Sequence, residues 1–247
     1  MPMPESWREA YLCHARSEDY RRALAQAEQR CARLAEDGSF YVAYSGGKDS
    51  LVALDLCAQF KPPVVFYDFG TPEAKAANVI PQWLREEIWD TVVDHYGLEL
   101  LVVTKRRNFT REKGPERAWI ETLIYTIPDP VFWLEGVREV AQGFGWRTAV
   151  VGLRRQESVR RKHRIDANRW VSEEQQEVWP VADWTERDIW AHIVSRDLPY
   201  STYYDRCAQV TGTYEGLRMT SLFSDGLKGI GDDLHGVAFW ADRPRGT

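Results

Sequence analysis

What this chain has little of narrows its chemistry first. It holds four cysteines, Cys13, Cys31, Cys57 and Cys207, and no two form a C-x-x-C pair. Without that spacing neither a zinc site nor an iron–sulfur cluster is expected, and no metal-ligating residues are assigned. Scattered thiols fit a reducing cytoplasm, where most are buried bystanders. No apolar run reaches the ~20 residues of a membrane-spanning helix. The start, Met1-Pro2-Met3-Pro4-Glu5-Ser6-Trp7, lacks a basic region followed by an apolar one, so no signal peptide is expected. Internal repeats and low-complexity tracts are absent. Positive charge is also short: the net charge of −5 disfavours broad nucleic-acid binding.

What is present suits one large domain with appendages. Hydrophobic residues make up 44% and charged residues 28%, enough for a packed core. Many of the tryptophans come late, from Trp119 through Trp133, Trp146, Trp170, Trp179 and Trp184 to Trp190, giving an aromatic second half. Two basic segments interrupt an acidic body. Residues 105–117 carry six Lys/Arg against two Glu, and residues 154–169 carry seven Lys/Arg against one Glu and one Asp. Such islands point to a local anionic ligand. The first is also a candidate surface for a partner protein or a nucleic acid, with a solvated loop as the plainer reading.

The stretch from Phe40 to Cys57 organises the rest. Phe40-Tyr41-Val42-Ala43-Tyr44 is apolar and β-prone, as a buried strand should be. Leu51-Val52-Ala53-Leu54-Asp55-Leu56-Cys57 has helical spacing, with Asp49 and Ser50 placed as caps. Between them lies Ser45-Gly46-Gly47-Lys48-Asp49-Ser50. A strand, a glycine turn and a helix N-terminus make an anion site, because N–H groups point outward and glycine admits a phosphate closely. This is not a Walker A loop, which would need Gly at Val42 and Ser or Thr at Asp49.

Elsewhere, residues 5–36 read as helix, with Leu24, Ala27, Cys31 and Leu34 on one face and Asp37-Gly38 as the stop. Val64-Val65-Phe66-Tyr67 reads as a strand ending at Asp68-Phe69-Gly70, where Asp68 could accept from a ribose hydroxyl or an adenine amino group. Residues 73–96 read as helix, broken or restarted at Pro81, then Leu98–Val103 as strand. Residues 116–126 and 131–142 read as helices around Pro128-Asp129-Pro130. Thr148-Ala149-Val150-Val151 is a further strand, running into Gly152-Leu153-Arg154-Arg155-Gln156-Glu157-Ser158-Val159-Arg160-Arg161. There a glycine lets the backbone turn, and arginines offer planar donors for phosphate or sulfate oxygens. Thr185 is an N-cap candidate with Asp188 three residues on. The glycine-rich residues 206–247 read as loop.

Three of these stretches, in order, resemble the phosphoadenosine-phosphosulfate (PAPS) reductase family of the PP-loop, adenine nucleotide α-hydrolase-like superfamily. They are the Ser45–Ser50 loop, the Gly152-Leu153-Arg154-Arg155…Ser158…Arg161 signature, and Pro180-Val181-Ala182-Asp183-Trp184-Thr185 with Leu198-Pro199-Tyr200 and Tyr203-Tyr204-Asp205. The resemblance spans roughly residues 38–205. It implies an open, mostly parallel α/β sheet with helices on both faces, flanked by a helical extension (1–37) and a loop-rich segment (206–247). The implied ligand is ATP or PAPS, with Mg²⁺ accompanying the phosphates. Ser45, Gly46, Gly47, Lys48, Asp49, Ser50, Asp68, Gly70, Gly152, Arg154, Arg155, Glu157, Ser158, Arg160 and Arg161 would bind it, and Lys48, Asp49 and Arg154 would serve catalysis.

The chain also departs from that family. Its reductases carry a Glu-Cys-Gly-Leu-His segment, and Asp205-Arg206-Cys207-Ala208 does not match it. Three readings follow. The first is a PP-loop enzyme that cleaves ATP between its α and β phosphates to adenylylate an acceptor, in sulfur transfer or nucleic-acid modification. The second is a PAPS-binding reductase or sulfotransferase. The third is an adenine-nucleotide-binding module without turnover. The acceptor stays open, as does a homodimer.

Overall fold

Short apolar runs rich in Val and Leu supply the strands, and the sheet they build fixes where the loops meet. The computed structural model describes residues 2–68, 82–104, 123–126, 133–173 and 176–217. The strands are β1 (Phe40–Ala43), β2 (Val64–Asp68), β3 (Leu100–Thr104), β4 (Leu123–Thr126), β5 (Thr148–Val151), β6 (Val171–Ser172) and β7 (Glu177–Val178). They form one seven-stranded sheet in the order β4-β3-β2-β1-β5-β7-β6. All neighbours are parallel except β6 and β7.

The helices are α1 (Glu5–Ala15), α2 (Glu18–Asp37), α3 (Lys48–Ala58), α4 (Gln82–Trp89), α5 (Trp133–Gly143), α6 (Val159–Asn168), α7 (Glu186–Ser195) and α8 (Tyr203–Thr211). A wider π turn over Asp90–His95 continues α4. Side chains alternate across the strands, so the two faces bury different sets. Val42, Val64, Phe66, Val102 and Val150 join the larger core, which includes residues of α1, α2, α3, α4, α7 and α8. Tyr41, Val65, Leu101, Val103 and Ala149 face Val137 and Ala141 of α5. The open, mostly parallel sheet with helices on both faces is the architecture expected.

Several boundaries differ from expectation. The helix expected over residues 5–36 is two helices, because the Ser17 side chain accepts from Tyr20 N at 3.2 Å and starts α2 afresh. Residues 123–126, expected at the end of a helix, are strand β4, paired with Leu101–Thr104. Leu-Ile-Tyr-Thr is rich in β-branched and aromatic residues, and pairing with a buried neighbour decides such short runs. The restart of helix after Pro81 is present, while residues 73–81 and 116–122 lie outside the described residues. The segment from 206, expected as loop, begins inside α8, which runs to Thr211 with Gly212 in the left-handed conformation after it. The rest of that segment, from 218, lies outside the described residues, as do the basic run at 105–117 and Gly70. No helix among the described residues is long and apolar enough to cross a membrane.

Candidate active site

The strand order reverses at β1: its neighbours are β2 on one side and β5 on the other. In open α/β sheets the crevice at such a switch point, beyond the C-terminal strand ends, is where ligands bind. β1 and β5 pair in register, Ala43 beside Val151, so their tips end together. The loop Ser45–Ser50 leaves one tip and Gly152-Leu153-Arg154 leaves the other. Two stretches a hundred residues apart in sequence thus share one corner.

Gly152 shows how tightly they meet. A Cβ at this position would lie 2.5 Å from the Asp49 carbonyl carbon and 2.6 Å from Ser50 N. The glycine is needed for close approach of two backbones. Within the loop, Gly46 has φ +77°, a conformation glycine adopts without strain. Ser50 folds back on the turn: its hydroxyl donates to Gly47 O at 2.8 Å and accepts from Ser45 N at 3.2 Å, with Ser45 Oγ 3.0 Å away. Gly47 is the N-cap of α3, so the first turn of that helix presents N–H groups without intrahelical partners. One is covered: Lys48 N donates to Tyr204 Oη at 2.9 Å.

The side chains are committed largely to one another. Arg154 Nε donates to Asp49 Oδ1 in a short contact. The Arg154 side chain is only 3% exposed, so this guanidinium neutralises Asp49 rather than solvating freely. Burial opposes the Asp49 charge, but Lys48 and Arg154 outweigh it and hold the carboxyl below the usual aspartate range. Burial likewise opposes the Arg154 charge, and Asp49, Glu157 and Glu186 overcome it. Lys48 points inward: its Nζ donates to Leu217 O at 2.7 Å and lies 3.4 Å from both Asp49 Oδ2 and Glu186 Oε1. It also sits 5.6 Å from the Tyr204 ring centroid.

The remaining residues of the arginine signature arrange around α6. Glu157 accepts from Arg154 N at 3.0 Å and pairs with Arg161. Ser158 caps α6 by accepting from Arg161 N at 3.2 Å. Arg155 bridges Asp166 and Asp183, and Asp183 also takes Arg30 at 2.8 Å. Arg160 is exposed and has no ion pair among the described residues. Asp68, expected to meet the nucleoside, is fully buried at the end of β2, with Arg85 Nε 3.4 Å away.

The structure thus brings together the loop, Gly152 and Arg154, while Arg155 and Arg161 have partners within the protein. Sequence reasoning gave no individual role to Tyr204, Glu186 and Leu217, which surround Lys48. Tyr204 stands inside a recognised stretch and Glu186 directly follows one, but nothing in their spacing shows that α7 and α8 fold back onto α3. A cavity of 340 Å³ lies elsewhere, near the start of β5, lined by Arg33, Trp170, Gln176 and Glu177 among others. It lies toward the opposite end of β5 from the strand tips.

The sequence is similar to those of known proteins. Residues 39–232 match the phosphoadenosine phosphosulfate reductase domain. An adenosine 5′-phosphosulfate reductase of Staphylococcus epidermidis is 27% identical over 165 residues, covering 66% of this chain and 63% of that protein. A phosphoadenosine 5′-phosphosulfate reductase of Xylella fastidiosa is 29% identical over 187 residues, covering 73% of this chain and 74% of the relative. Sulfate adenylyltransferase subunit 2 of Rhodopseudomonas palustris is 28% identical over 187 residues, covering 65% and 54%. The chain therefore spans 63% of the staphylococcal relative's length.

Proposed function

This chain belongs to the phosphoadenosine phosphosulfate reductase domain family, and from that premise we propose that it is a nucleotide-dependent enzyme of sulfur chemistry that cleaves ATP between its α and β phosphates. The observation that carries the reading is the corner itself: a glycine loop at a helix N-terminus, pressed against the tip of the strand beyond the switch point. Such a corner offers aligned amides to a polyphosphate. The similarity to a sulfate adenylyltransferase subunit supports the choice of ATP.

In this reading the amides of Gly46, Gly47, Asp49 and Ser50 hold the leaving pyrophosphate, while that of Lys48 stays with Tyr204 Oη. Lys48 extends to neutralise charge as it develops. Arg154 acts through Asp49, holding the first turn of α3 in place. An acceptor oxygen attacks the α-phosphorus, the new P–O bond forms, and the bond to the β-phosphate oxygen breaks with pyrophosphate departing. Preorganised donors of this kind are worth about 3 kcal/mol each in the barrier. Mg²⁺ would add Lewis acidity, but both Asp49 oxygens are committed to cations and no cluster of three acidic, His or Cys side chains stands among the described residues. The described residues thus do not fit a protein-held metal.

A PAPS-type reductase is the second reading, favoured by the reductase names of two relatives. It needs a reactive thiolate. Cys31, Cys57 and Cys207 are buried, and Cys13 is exposed on α1. One assay separates the readings. Wild-type and Lys48→Ala proteins are given ATP with Mg²⁺ and sulfate, or adenylyl sulfate or PAPS with a dithiol reductant. Pyrophosphate release with ATP that falls at least about tenfold in Lys48→Ala supports the proposal. Sulfite release without pyrophosphate release supports the reductase. Tight nucleotide binding with neither product identifies a module without turnover.

A further inference from the structure

Lys48 is held by more than its own loop. An ammonium has three donors, and three acceptors surround this one: Leu217 O at 2.7 Å, and Asp49 Oδ2 and Glu186 Oε1 at 3.4 Å each. The lysine side chain is 1% exposed. Glu186, the first residue of α7, divides its carboxylate. One oxygen accepts from Gly216 N at 2.9 Å. The other is buried, accepts no hydrogen bond among the described residues, and faces the ammonium. Glu186 therefore grips the loop lysine and the turn that carries Leu217 at once.

That turn has its own anchors. Trp190 Nε1 donates to Tyr214 O at 3.2 Å, and Tyr214 Oη donates to Asp205 Oδ1 at 2.6 Å. The Glu186 and Leu217 contacts are thus not the turn's sole support. They tie it specifically to Lys48. A phosphate oxygen that accepts a hydrogen bond from this ammonium must displace the Leu217 carbonyl or one of the carboxylates.

We propose that Glu186 is a positioning residue for Lys48, and that docking of the 214–217 turn and binding of nucleotide phosphates compete for this single ammonium. The inference rests on the reading of the Ser45–Ser50 loop as the nucleotide site. Because coupling is reciprocal, whatever loosens the lysine from the turn tightens nucleotide binding, and nucleotide loosens the turn. Glu186 also repels a phosphate directly through its charge, and that part does not need Lys48.

A double-mutant cycle separates the two parts. Equilibrium affinities for ATP, PAPS and adenylyl sulfate are measured on wild type, Glu186→Gln, Lys48→Ala and the double variant. Glutamine keeps an acceptor for Gly216 N, removes the charge, and turns an amide NH2 toward the ammonium in place of the buried oxygen. The nucleotide that wild type binds best should bind Glu186→Gln about fivefold tighter or more, while the same change in the Lys48→Ala background shifts affinity by less than about twofold. Hydrogen exchange at Gly216 and Leu217 should quicken when nucleotide is added to wild type. An equal effect of Glu186→Gln in both backgrounds, or unchanged or weaker binding by Glu186→Gln, overturns the competition and leaves the nucleotide site standing. Absence of binding of all three nucleotides to wild type overturns the site reading and this inference with it.

Discussion

Replacing Gly152 by alanine would put a methyl group 2.6 Å from Ser50 N, with backbone on every near side and no flexible side chain to yield. The strand tip and the loop must then separate. The expected cost is about 1–3 kcal/mol of stability, the usual range for overpacking, together with loss of nucleotide affinity. Thermal unfolding and nucleotide titration of Gly152→Ala check both; an unchanged midpoint and affinity would mean the corner is looser than its geometry. Asp49→Asn probes the other half. It leaves the Arg154 guanidinium, 3% exposed, without its carboxylate, and breaking a buried pair in this way costs about 3–5 kcal/mol. Urea unfolding at neutral pH reads that loss, and a change under about 1 kcal/mol would show that the pair behaves as a solvated one. At this scale the loop, Gly152 and Arg154 were legible because each combines a rare residue pattern with a strand end. The inward turn of Lys48 was not: the acceptor at 2.7 Å is a backbone carbonyl, Leu217, which no side-chain pattern marks.

Helix α7 is held at both ends by polar groups. At its start Thr185 and Asp188 form a reciprocal capping box. Towards its end His192 is fully buried between α2 and α3, with Tyr20 Oη 2.9 Å from Nδ1 and Asp55 Oδ2 2.8 Å from Nε2. Tyr96 Oη donates to Asp55 Oδ1 at 2.9 Å, and Arg196 lies 3.5 Å from Oδ2. Burial depresses the His192 pKa below its ordinary value, and the pull of Asp55 only partly offsets this. Burial raises the Asp55 pKa, but His192, Tyr96 and Arg196 bring it below the usual range. A group with a depressed folded pKa stabilises above its unfolded pKa and loses that contribution as pH falls. Stability should thus begin to decline below about pH 6.5, where His192 of the unfolded chain takes up a proton that the buried ring resists, and decline further below about pH 3.9, where Asp55 of the unfolded chain does the same. Thermal midpoints from about pH 8 to about pH 3 should show the upper decline in wild type and a flatter one in His192→Gln. A wild-type curve level until the carboxylate range would contradict the assignment of a neutral histidine. The cap was readable from Thr185 and Asp188 alone, since such a box is local. The histidine network was not, because its partners come from positions 20, 55 and 96. Strand β4 was misread for a related reason: four residues of pattern cannot compete with pairing to β3.

For the whole molecule, the sheet order matters more than any one contact. Placing β5 beside β1 brings the second motif to the first, and the in-register pairing sets them at the same height. Sequence order hinted at this, because both motifs follow strand-like runs, but the adjacency is a property of the crossover alone. The N-terminal helices share the main core with α3 and α7, so Tyr11 and Tyr20 support the elements that carry the site. A net charge of −5 then leaves anion binding to a local arrangement of amides and cations rather than to a general field. The most direct test is a crystal structure of the protein with a non-hydrolysable ATP analogue. The account predicts phosphate oxygens within hydrogen-bond distance of the amides of Gly46, Gly47, Asp49 and Ser50, beside Gly152 at the joined tips of β1 and β5. A nucleotide seated elsewhere, for example in the 340 Å³ cavity beside Arg33 and Trp170, with the loop unengaged, would contradict it.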